Sequence, residues 1–167
     1  MTKKILVLSD SHSALWFMKD CVNRVRPDAI VHLGDHYGDG EALQELFPHI
    51  PFWGVPGNCD QYRCPPGAQE ILAVTLCGVK LYMTHGHRHH VKMGTGLLCQ
   101  DARKAGAAAA LYGHTHIPHC QKQEDGLWLL NPGAAGSGEK TAGLIETDGS
   151  NIIACRILGQ AELEVLL

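Results

Sequence analysis

The alternation of apolar and polar positions predicts strands and helices in turn over the first two thirds of the chain. Five apolar runs have the length of a strand and are bounded by turn or polar residues: Ile5 to Leu8, Ile30 to Leu33, Phe52 to Val55, Leu81 to Met83 and Ala108 to Tyr112. Three segments are predicted to be helices: residues 14–25, 41–47 and 97–105. Ser11 or Ser13 is the expected N-cap of the first helix, and Pro27 follows its end.

After residue 116 the pattern changes to that of antiparallel strands. Two pairs of short strands each flank an Asp-Gly turn: Cys120 to Glu124 with Leu127 to Asn131, and Leu144 to Thr147 with Ile152 to Ile157. Residues 162–167 are the expected last strand. Strand and helix units followed by a β-rich half predict an α/β protein with two packed sheets and helices outside.

Length and composition fit one domain that spans residues 1–167. The chain has 45% hydrophobic residues, which is enough for one packed core at this length. No apolar run is long enough for a transmembrane helix and the N-terminus has no leader pattern, so we expect a cytoplasmic protein without a membrane partner. The net charge of −3 argues against general nucleic-acid binding. The seven scattered cysteines are expected to be free thiols. The sequence is also compatible with assembly into a homo-oligomer.

Side chains that bind metals follow the apolar runs. Seven of them form groups that begin within three residues of the C-terminal end of a run: Asp10, His12, Asp35, Asn58, His85, His114 and His116. Open α/β sheets bind ligands beyond the carboxyl ends of their strands, so these side chains are predicted to meet in one crevice. In an extended segment residues i and i+2 point to the same side. The pair Asp10 and His12 is therefore expected to bind one ion together, and so is the pair His114 and His116.

The number and type of these side chains favour two metal ions. Seven ligands exceed what one four-coordinate ion takes, but they suit two divalent ions that share a bridging carboxylate, and Asp35 is the natural bridge. Carboxylate, imidazole and amide donors without thiolate favour Mn, Fe, Zn or Ni, with Mn as the first expectation. Without a cation, clustered acids and histidines at strand ends would repel one another or stay unpaired.

Five motifs in this order resemble the signature of the calcineurin-like metallophosphoesterases: SDSHS at 9–13, GDHYGD at 34–39, GNCD at 57–60, THGH at 84–87 and GHTH at 113–116. With the NPG at 131–133, the chain is most similar to the small bacterial and archaeal phosphodiesterase branch, which is related in fold to the small subunit of the retromer coat. The resemblance spans nearly the whole chain. It implies a four-layer α/β/β/α sandwich of two mixed sheets flanked by helices, with the metal site at the C-terminal ends of the strands.

The resemblance also implies roles for single residues. One ion takes Asp10, His12, Asp35 and His116, and the other takes Asp35, Asn58, His85 and His114. The implied reaction is hydrolysis of a phosphate diester by a hydroxide that bridges the two ions, so Asp35 and Asn58 are expected at the reacting centre. His87 is a further catalytic candidate, because it follows His85 in a loop from which it could contact the phosphate or supply a proton. A solvated polar loop over residues 87–90 is the alternative.

Two positions depart from the pattern of the wider superfamily. Many members have His directly after the Asn ligand, where it protonates the leaving group, whereas this chain has Cys59. Loss of that general acid favours a small substrate whose leaving group is a weak base, such as an aryl or nucleotide-like diester. Relatives often have Ser after NPG, and Ala134 stands there in this chain, which removes a candidate phosphate contact.

Several other polar residues have weaker claims to a role. Four histidines are not among the seven predicted ligands and are expected to be turn or hydrogen-bonding residues: His32, His36, His49 and His119. Asp39 either orients a histidine ligand or is a loop acid, and the loop is favoured. Three serines are expected to cap turns or helices, since no base that would activate them is identifiable by spacing: Ser9, Ser11 and Ser13.

Two alternatives to a phosphodiesterase remain. The first is a non-catalytic protein-interaction scaffold of the same fold, as in the retromer small subunit, and the intact set of seven ligands disfavours it. The second is a metal-dependent phosphomonoesterase or phosphoprotein phosphatase. A short chain that lacks the histidine acid fits this second activity less well.

Overall fold

The computed structural model describes residues 1–166 and contains two five-stranded sheets. The strands are β1 Lys3–Leu8, β2 Ala29–His32, β3 Phe52–Gly54, β4 Ile71–Leu76, β5 Val79–Thr84, β6 Ala109–Leu111, β7 His119–Lys122, β8 Trp128–Asn131, β9 Ala142–Thr147 and β10 Ile152–Leu158. The first sheet has the order β10-β9-β1-β2-β3, and the second has the order β4-β5-β6-β8-β7. Each sheet combines parallel and antiparallel pairs, so the prediction of two mixed sheets is confirmed.

Helices cover the outer faces of the two sheets. They are α1 Leu15–Val25, α2 Tyr37–Leu46, α3 Gly96–Lys104 and α4 Gln160–Glu164. Short 3₁₀ turns cover Asn58–Asp60 and His87–His89. Among residues 1–166, no helix has the length and apolar character needed to cross a membrane.

Alternate residues of a strand enter different cores, and this produces the layers. In β1, Leu6 packs in a cluster with α1, whereas its neighbours Ile5 and Val7 pack between the two sheets. In β5, Met83 joins the core between the sheets, and Tyr82 packs in a separate cluster with α3. The order of layers is therefore helix, sheet, sheet, helix, as the resemblance implies.

Most predicted elements are present, with several differences. Strand β4 is not predicted, because its apolar run ends in the Cys77-Gly78 turn and no metal ligand follows it. Helix α2 begins at Tyr37, earlier than predicted. The predicted last strand over residues 162–167 is wrong, because α4 forms there, with Leu163 buried and the Gly159 N–H bound to the Glu162 carboxylate. Leu167 lies outside the described residues.

The predicted cap of α1 is also wrong. The residue before the helix is Ala14, and no side chain caps it. The hydroxyl of Ser11 is bound elsewhere, and the backbone N–H of Ser13 donates to the side chain of Asp39. These serines therefore stabilise the loop between β1 and α1.

Candidate metal centre

Loops after five strands meet at one edge of the sandwich and carry the seven predicted ligands. Strands β1, β2 and β3 belong to the first sheet and β5 and β6 to the second, so both sheets contribute to the crevice. The Asp10 N–H donates to the carbonyl of Gly34, which joins the first two loops. The Gly113 N–H donates to the carbonyl of His85, which joins the last two.

Asp10 is a fully buried carboxylate with one unpaired oxygen. Its Oδ2 accepts hydrogen bonds from the Ser9 hydroxyl at 2.6 Å and from the His114 N–H at 3.2 Å. Its Oδ1 has no hydrogen-bond donor, because His116 Nε2 lies 3.0 Å away but outside hydrogen-bond geometry. A buried carboxylate oxygen without a donor is costly unless a cation faces it.

His85 directs an imidazole nitrogen at two carboxylates. Its Nδ1 lies 2.7 Å from the carbonyl oxygen of Leu33, and this contact requires an N–H on Nδ1. In the neutral ring Nε2 is then bare, and it faces Asp35 Oδ2 at 3.4 Å and Asp10 Oδ1 at 3.9 Å without a hydrogen bond. Burial lowers the pKa of His85, but Asp35 and Asp10 outweigh burial and raise it. The three atoms therefore need positive charge between them.

Asp35 is held by the loop that follows β3. Its Oδ1 accepts the N–H of Cys59 at 3.0 Å, which leaves Oδ2 directed at His85. Burial raises the pKa of Asp35, but the contacts with His85 and Cys59 outweigh it and hold the pKa well below its usual range. Gly57 must be glycine, because a Cβ at that position would collide with Oδ1 of Asp35.

Asp60 organises this part of the centre, and sequence reasoning did not identify it. The side chain is buried, and its Oδ2 accepts the N–H groups of Asp35 at 2.7 Å and Gly57 at 2.8 Å. Its Oδ1 accepts the N–H of Tyr37 at 2.9 Å. One carboxylate thus joins the loops that carry Asp35 and Asn58. Its position three residues after Gly57, at the end of the GNCD motif, is the signal that could have indicated it.

Asn131 holds the loop that carries His114 and His116 in place by hydrogen bonds, as Asp60 does for the loops of Asp35 and Asn58. Its Nδ2 donates to the carbonyl of Gly113 at 3.1 Å and to the hydroxyl of Thr115 at 2.9 Å. The side chain is fully buried. Sequence reasoning noted this residue only as the first position of NPG, and the structure explains why an amide is needed there.

The donor set fits metal ions in two groups. Ligand atoms lie within 4.8 Å of one another in each of two sets of three residues, namely Asp10 with His12 and His116, and Asp10 with Asp35 and His85. These are the donor types that first-row divalent metals accept. Asp10 is the carboxylate common to both sets. The bridging role of Asp35 stays a prediction.

The local reason given for pairing residues i and i+2 is wrong. All four residues of the two pairs have left-handed backbone with φ between 41° and 71°, so none of them lies in an extended segment: Asp10, His12, His114 and His116. The rings of His114 and His85 have centroids 5.1 Å apart, whereas His116 lies near His12 with centroids 5.4 Å apart. His114 and His116 therefore face different partners, as the resemblance implies.

The family model of the calcineurin-like phosphoesterase superfamily domain matches residues 4–150. The chain belongs to this superfamily. A probable metallophosphoesterase of Mycoplasma pneumoniae is 31% identical over 134 residues, which cover 78% of each chain. The recognition of the family from five ordered motifs is confirmed.

Solved structures with similar folds support the same architecture. A conserved protein of Streptococcus pneumoniae, described as a predicted phosphoesterase, has a TM-score of 0.74 and 25% identity and covers 96% of this chain and 99% of its own. Vacuolar Protein Sorting 29 from Cryptosporidium parvum has a TM-score of 0.71 and 17% identity, with 95% and 99% covered. The second likeness concerns the fold alone, and it confirms the expected relation in fold to the retromer small subunit.

Cys59 lies on the open side of the centre. The residue is exposed, and its Sγ lies 3.7 Å from Nδ2 of Asn58. The surrounding protein partly desolvates the thiol, and this effect, followed by the neighbouring Asp35, raises its pKa. The position after Asn58 therefore holds a protonated thiol at neutral pH where many superfamily members have an imidazole.

His87 lies beside the centre. Its ring centroid is 5.6 Å from that of His85 and 6.2 Å from that of His114. Its Nδ1 is buried without a hydrogen-bond partner, and its Nε2 lies 3.6 Å from Oε1 of Glu70. Burial, followed by the nearby His85, lowers the pKa of His87. The ring is thus close enough to contact a substrate that occupies the crevice.

The loop over residues 87–90 is anchored at His89. This side chain is buried, and its Nε2 lies 3.1 Å from both the Tyr82 hydroxyl and Oδ2 of Asp101. Arg88 instead binds Glu70 at the surface. A solvated polar loop therefore does not describe the whole segment, because His89 fixes it to β5 and α3.

A chain of hydrogen bonds supports the loop that carries His12. A backbone N–H donates to Nδ1 of His32, so Nε2 carries the proton and donates to the Ser11 hydroxyl at 2.9 Å. Burial lowers the pKa of His32 to about 4, which keeps the ring neutral. Ser11 donates to Oδ2 of Asp39 at 2.8 Å, and the same oxygen accepts the Ser13 N–H at 2.7 Å. The interpretation of Asp39 as a plain loop acid is wrong, because it holds both flanks of His12.

The other unassigned histidines have different surroundings. His36 Nε2 lies 3.3 Å from Nδ1 of His12, so His36 contacts a predicted ligand as well as preceding α2. His119 Nδ1 lies 3.0 Å from the Tyr112 hydroxyl, as expected for a hydrogen-bonding residue. His49 is exposed.

Proposed function

We propose that this protein is a phosphodiesterase whose centre binds two divalent ions, with manganese as the first expectation and iron, zinc or nickel as alternatives. The observation that carries the proposal is the buried convergence of Nε2 of His85, which has no hydrogen-bond partner, with carboxylate oxygens of Asp10 and Asp35. Ions bound there polarise a phosphoryl oxygen and lower the pKa of a bound water. A small, nucleotide-like diester is the proposed substrate, and cytoplasmic location stays an expectation.

The residues around the crevice have separate tasks in this proposal. Asp35 bridges the two ions in this proposal. One ion is also held by Asp10, His12 and His116, and the other by Asn58, His85 and His114. Asn58 also lines the neighbouring cavity, and in this proposal its side-chain amide donates to a phosphate oxygen of the substrate.

His87 is the proposed auxiliary group. Its ring lies beside those of His85 and His114 and borders the same cavity, so it is placed to contact the phosphate or to give a proton to the leaving oxygen. Since no imidazole follows Asn58, the leaving group must depart with less assistance than in many superfamily members. This favours diesters of weakly basic alcohols over alkyl monoesters.

The proposal is tested with an activated diester. Purified protein with added Mn²⁺ is expected to hydrolyse bis(4-nitrophenyl) phosphate and to act poorly on alkyl phosphate monoesters, measured as released nitrophenolate and inorganic phosphate. Asp35→Asn protein prepared in the same way is the control for a contaminating hydrolase. Metal-loaded protein that hydrolyses no diester would contradict the proposal.

The same assay separates the two alternatives. A scaffold of this fold would show no turnover with any ester, and a monoesterase or phosphoprotein phosphatase would prefer the monoester. The buried, uncompensated ligand atoms argue against a scaffold, because without a cation they only destabilise the fold.

A further inference from the structure

A cavity of about 860 Å³ opens beside the candidate metal centre. It shares Asn58 and His87 with the centre, and the loop over residues 61–70 forms much of its wall. This volume lies within the range of small-molecule sites, roughly 300 to 1,000 Å³. A diester whose phosphate occupies the centre therefore has room to place one of its two arms in this cavity.

The charges in the cavity wall cancel. Glu70 and Arg88 are the charged residues of the lining, and they are paired, with Nε to Oε2 at 3.0 Å and Nη2 to Oε1 at 3.5 Å. Within residues 1–166, no other Lys or Arg lines the cavity. An anionic arm would lose its water without gaining a free cation, and it would lie close to the Glu70 carboxylate.

The neutral part of the wall offers hydrogen bonds and apolar surface. Gln61 and Gln69 line the cavity, and their amide groups make no hydrogen bond to other residues in the described part of the chain. Each amide both donates and accepts. Pro56, Ala68 and Ile71 supply apolar contact. The wall thus matches a group that is uncharged but carries donors and acceptors.

We propose, on the basis of the phosphodiesterase function, that this cavity binds an uncharged hydrogen-bonding arm of the diester, such as a nucleoside. The Glu70–Arg88 ion pair selects against an anionic arm, because Glu70 already satisfies the cation that such an arm would need. The substrates are therefore diesters with a single phosphate and neutral arms. Diesters with an arm that carries a further phosphate or a carboxylate are poor substrates.

Two matched diesters test this selectivity: bis(4-carbamoylphenyl) phosphate, with amide arms, and bis(4-carboxyphenyl) phosphate, with anionic arms of the same shape. Both arms of each compound are alike, so the identity of the arm that enters the cavity does not matter. The measured quantity is the ratio of kcat/KM for the amide diester to that for the carboxylate diester. Comparison of this ratio between variants removes the difference in leaving-group basicity.

Glu70→Gln removes the anion and leaves Arg88 unpaired, so the ratio is expected to shift toward the carboxylate diester by about five- to tenfold. Arg88→Gln is expected to shift it in the opposite direction. Glu124→Gln is the control, because this acid is exposed and lies outside the cavity lining. Metal content is measured for every variant, and equal occupancy shows that the centre itself is intact.

The outcomes separate the two proposals. An unchanged ratio in Glu70→Gln and Arg88→Gln, with both diesters hydrolysed, would overturn the cavity proposal and leave the phosphodiesterase function standing. If no diester is hydrolysed, saturation-transfer NMR of 4-hydroxybenzamide with the zinc-loaded protein tests the cavity alone. Saturation transfer from the protein to 4-hydroxybenzamide is expected in the wild type. It is expected to be lost in the double variant Gln61→Ala/Gln69→Ala. Equal transfer in both proteins would overturn the assignment.

Discussion

The candidate centre has an enclosed half and an open half, and different contacts hold their ligands. In the enclosed half, Asp10, Asp35 and His85 are buried, and backbone groups bind the oxygen or nitrogen atoms that point away from the crevice. In the open half, the His116 side chain is 42% exposed and His12 is partly exposed. Water can solvate the open ligands when no ion is bound, but it cannot reach the enclosed ones.

The supporting contacts differ in the same way. His116 Nδ1 lies 3.5 Å from the Ser137 hydroxyl, and His12 Nδ1 lies 3.3 Å from the His36 ring. These contacts are longer than the 2.7 Å bond that orients His85. Since a preorganised ligand loses less freedom when it binds, we expect the enclosed half to bind its ion more tightly.

The largest effect is expected for Asp35→Asn, in the enclosed half. Loss of this carboxylate weakens binding of the ion beside His85. If Asp35 bridges, binding of the other ion is weakened too, so kcat/KM should fall by about 10³-fold. His87→Ala should cost less, about 10- to 100-fold, because it removes an auxiliary group. Steady-state kinetics and metal analysis of both variants test this difference. Equal losses with full metal occupancy in both proteins would mean that the division between ligand and auxiliary group is wrong.

Metal titration should show directly that the two halves bind their ions with different affinities. We expect two divalent ions per chain, bound in a tight step and a weaker step, and His116→Gln should remove only the weaker one. At a concentration 100 times its Kd, one ion adds about 2.7 kcal/mol to the free energy of unfolding, so chelation should lower Tm by roughly 5 to 10 °C. Calorimetry and elemental analysis measure both quantities. A stoichiometry of one after saturation with Mn²⁺ would exclude the dinuclear centre and leave the fold unaffected.

A moderate effect is expected for Asp60→Asn, which changes no ligand. The amide cannot accept hydrogen bonds on both sides, so at least one buried N–H among those of Asp35, Gly57 and Tyr37 loses its acceptor. The affinity for the enclosed ion should fall by about 10- to 100-fold, with a decrease of a few degrees in Tm. Asp148→Asn is the matched control, since this exposed carboxylate also accepts two backbone N–H groups. Equal metal affinity in the two variants would show that Asp60 does not position the centre.

The ligands could be predicted because their chemistry is visible in the sequence. An acid or histidine two residues after an apolar run, as at Asp35 and His85, is unusual unless a cation compensates it, and parallel strands bring such ends together. The order of the motifs also indicated the four layers, through family resemblance. Periodicity alone does not predict all of the elements, because it omits β4 and predicts a strand where α4 forms.

The supporting residues could not be predicted in the same way. Asp60 binds an N–H group 25 positions away, and Asn131 binds a carbonyl 18 positions away, so their roles depend on loops that meet only after the sheets have formed. Neither contact leaves a periodic pattern in the sequence. Asp39 was misjudged for the same reason, because its partner Ser11 lies 28 positions away across α1.

The smallest expected effect concerns Cys59, at the boundary between the open half and the substrate. A histidine here should help poor leaving groups more than good ones, provided that the new ring reaches the leaving oxygen, because general acid catalysis contributes most when the departing alkoxide is strongly basic. For a series of phenyl-substituted diesters, the plot of log kcat/KM against leaving-group pKa should be steep in the native enzyme and shallower in Cys59→His. Activity toward the nitrophenyl diester should change by less than about tenfold.

The position of Cys59 makes this substitution informative. The thiol is exposed, and the backbone N–H of Cys59 donates to Asp35, so exchange of the side chain leaves that hydrogen bond in place. Metal content should therefore be unchanged, and any change in slope reports proton transfer. A shallow slope in the native enzyme that the substitution does not alter would mean that another residue already protonates the leaving group. His87 is then the first candidate, because it borders the cavity beside the centre and lies next to His85, and His87→Ala should steepen the slope.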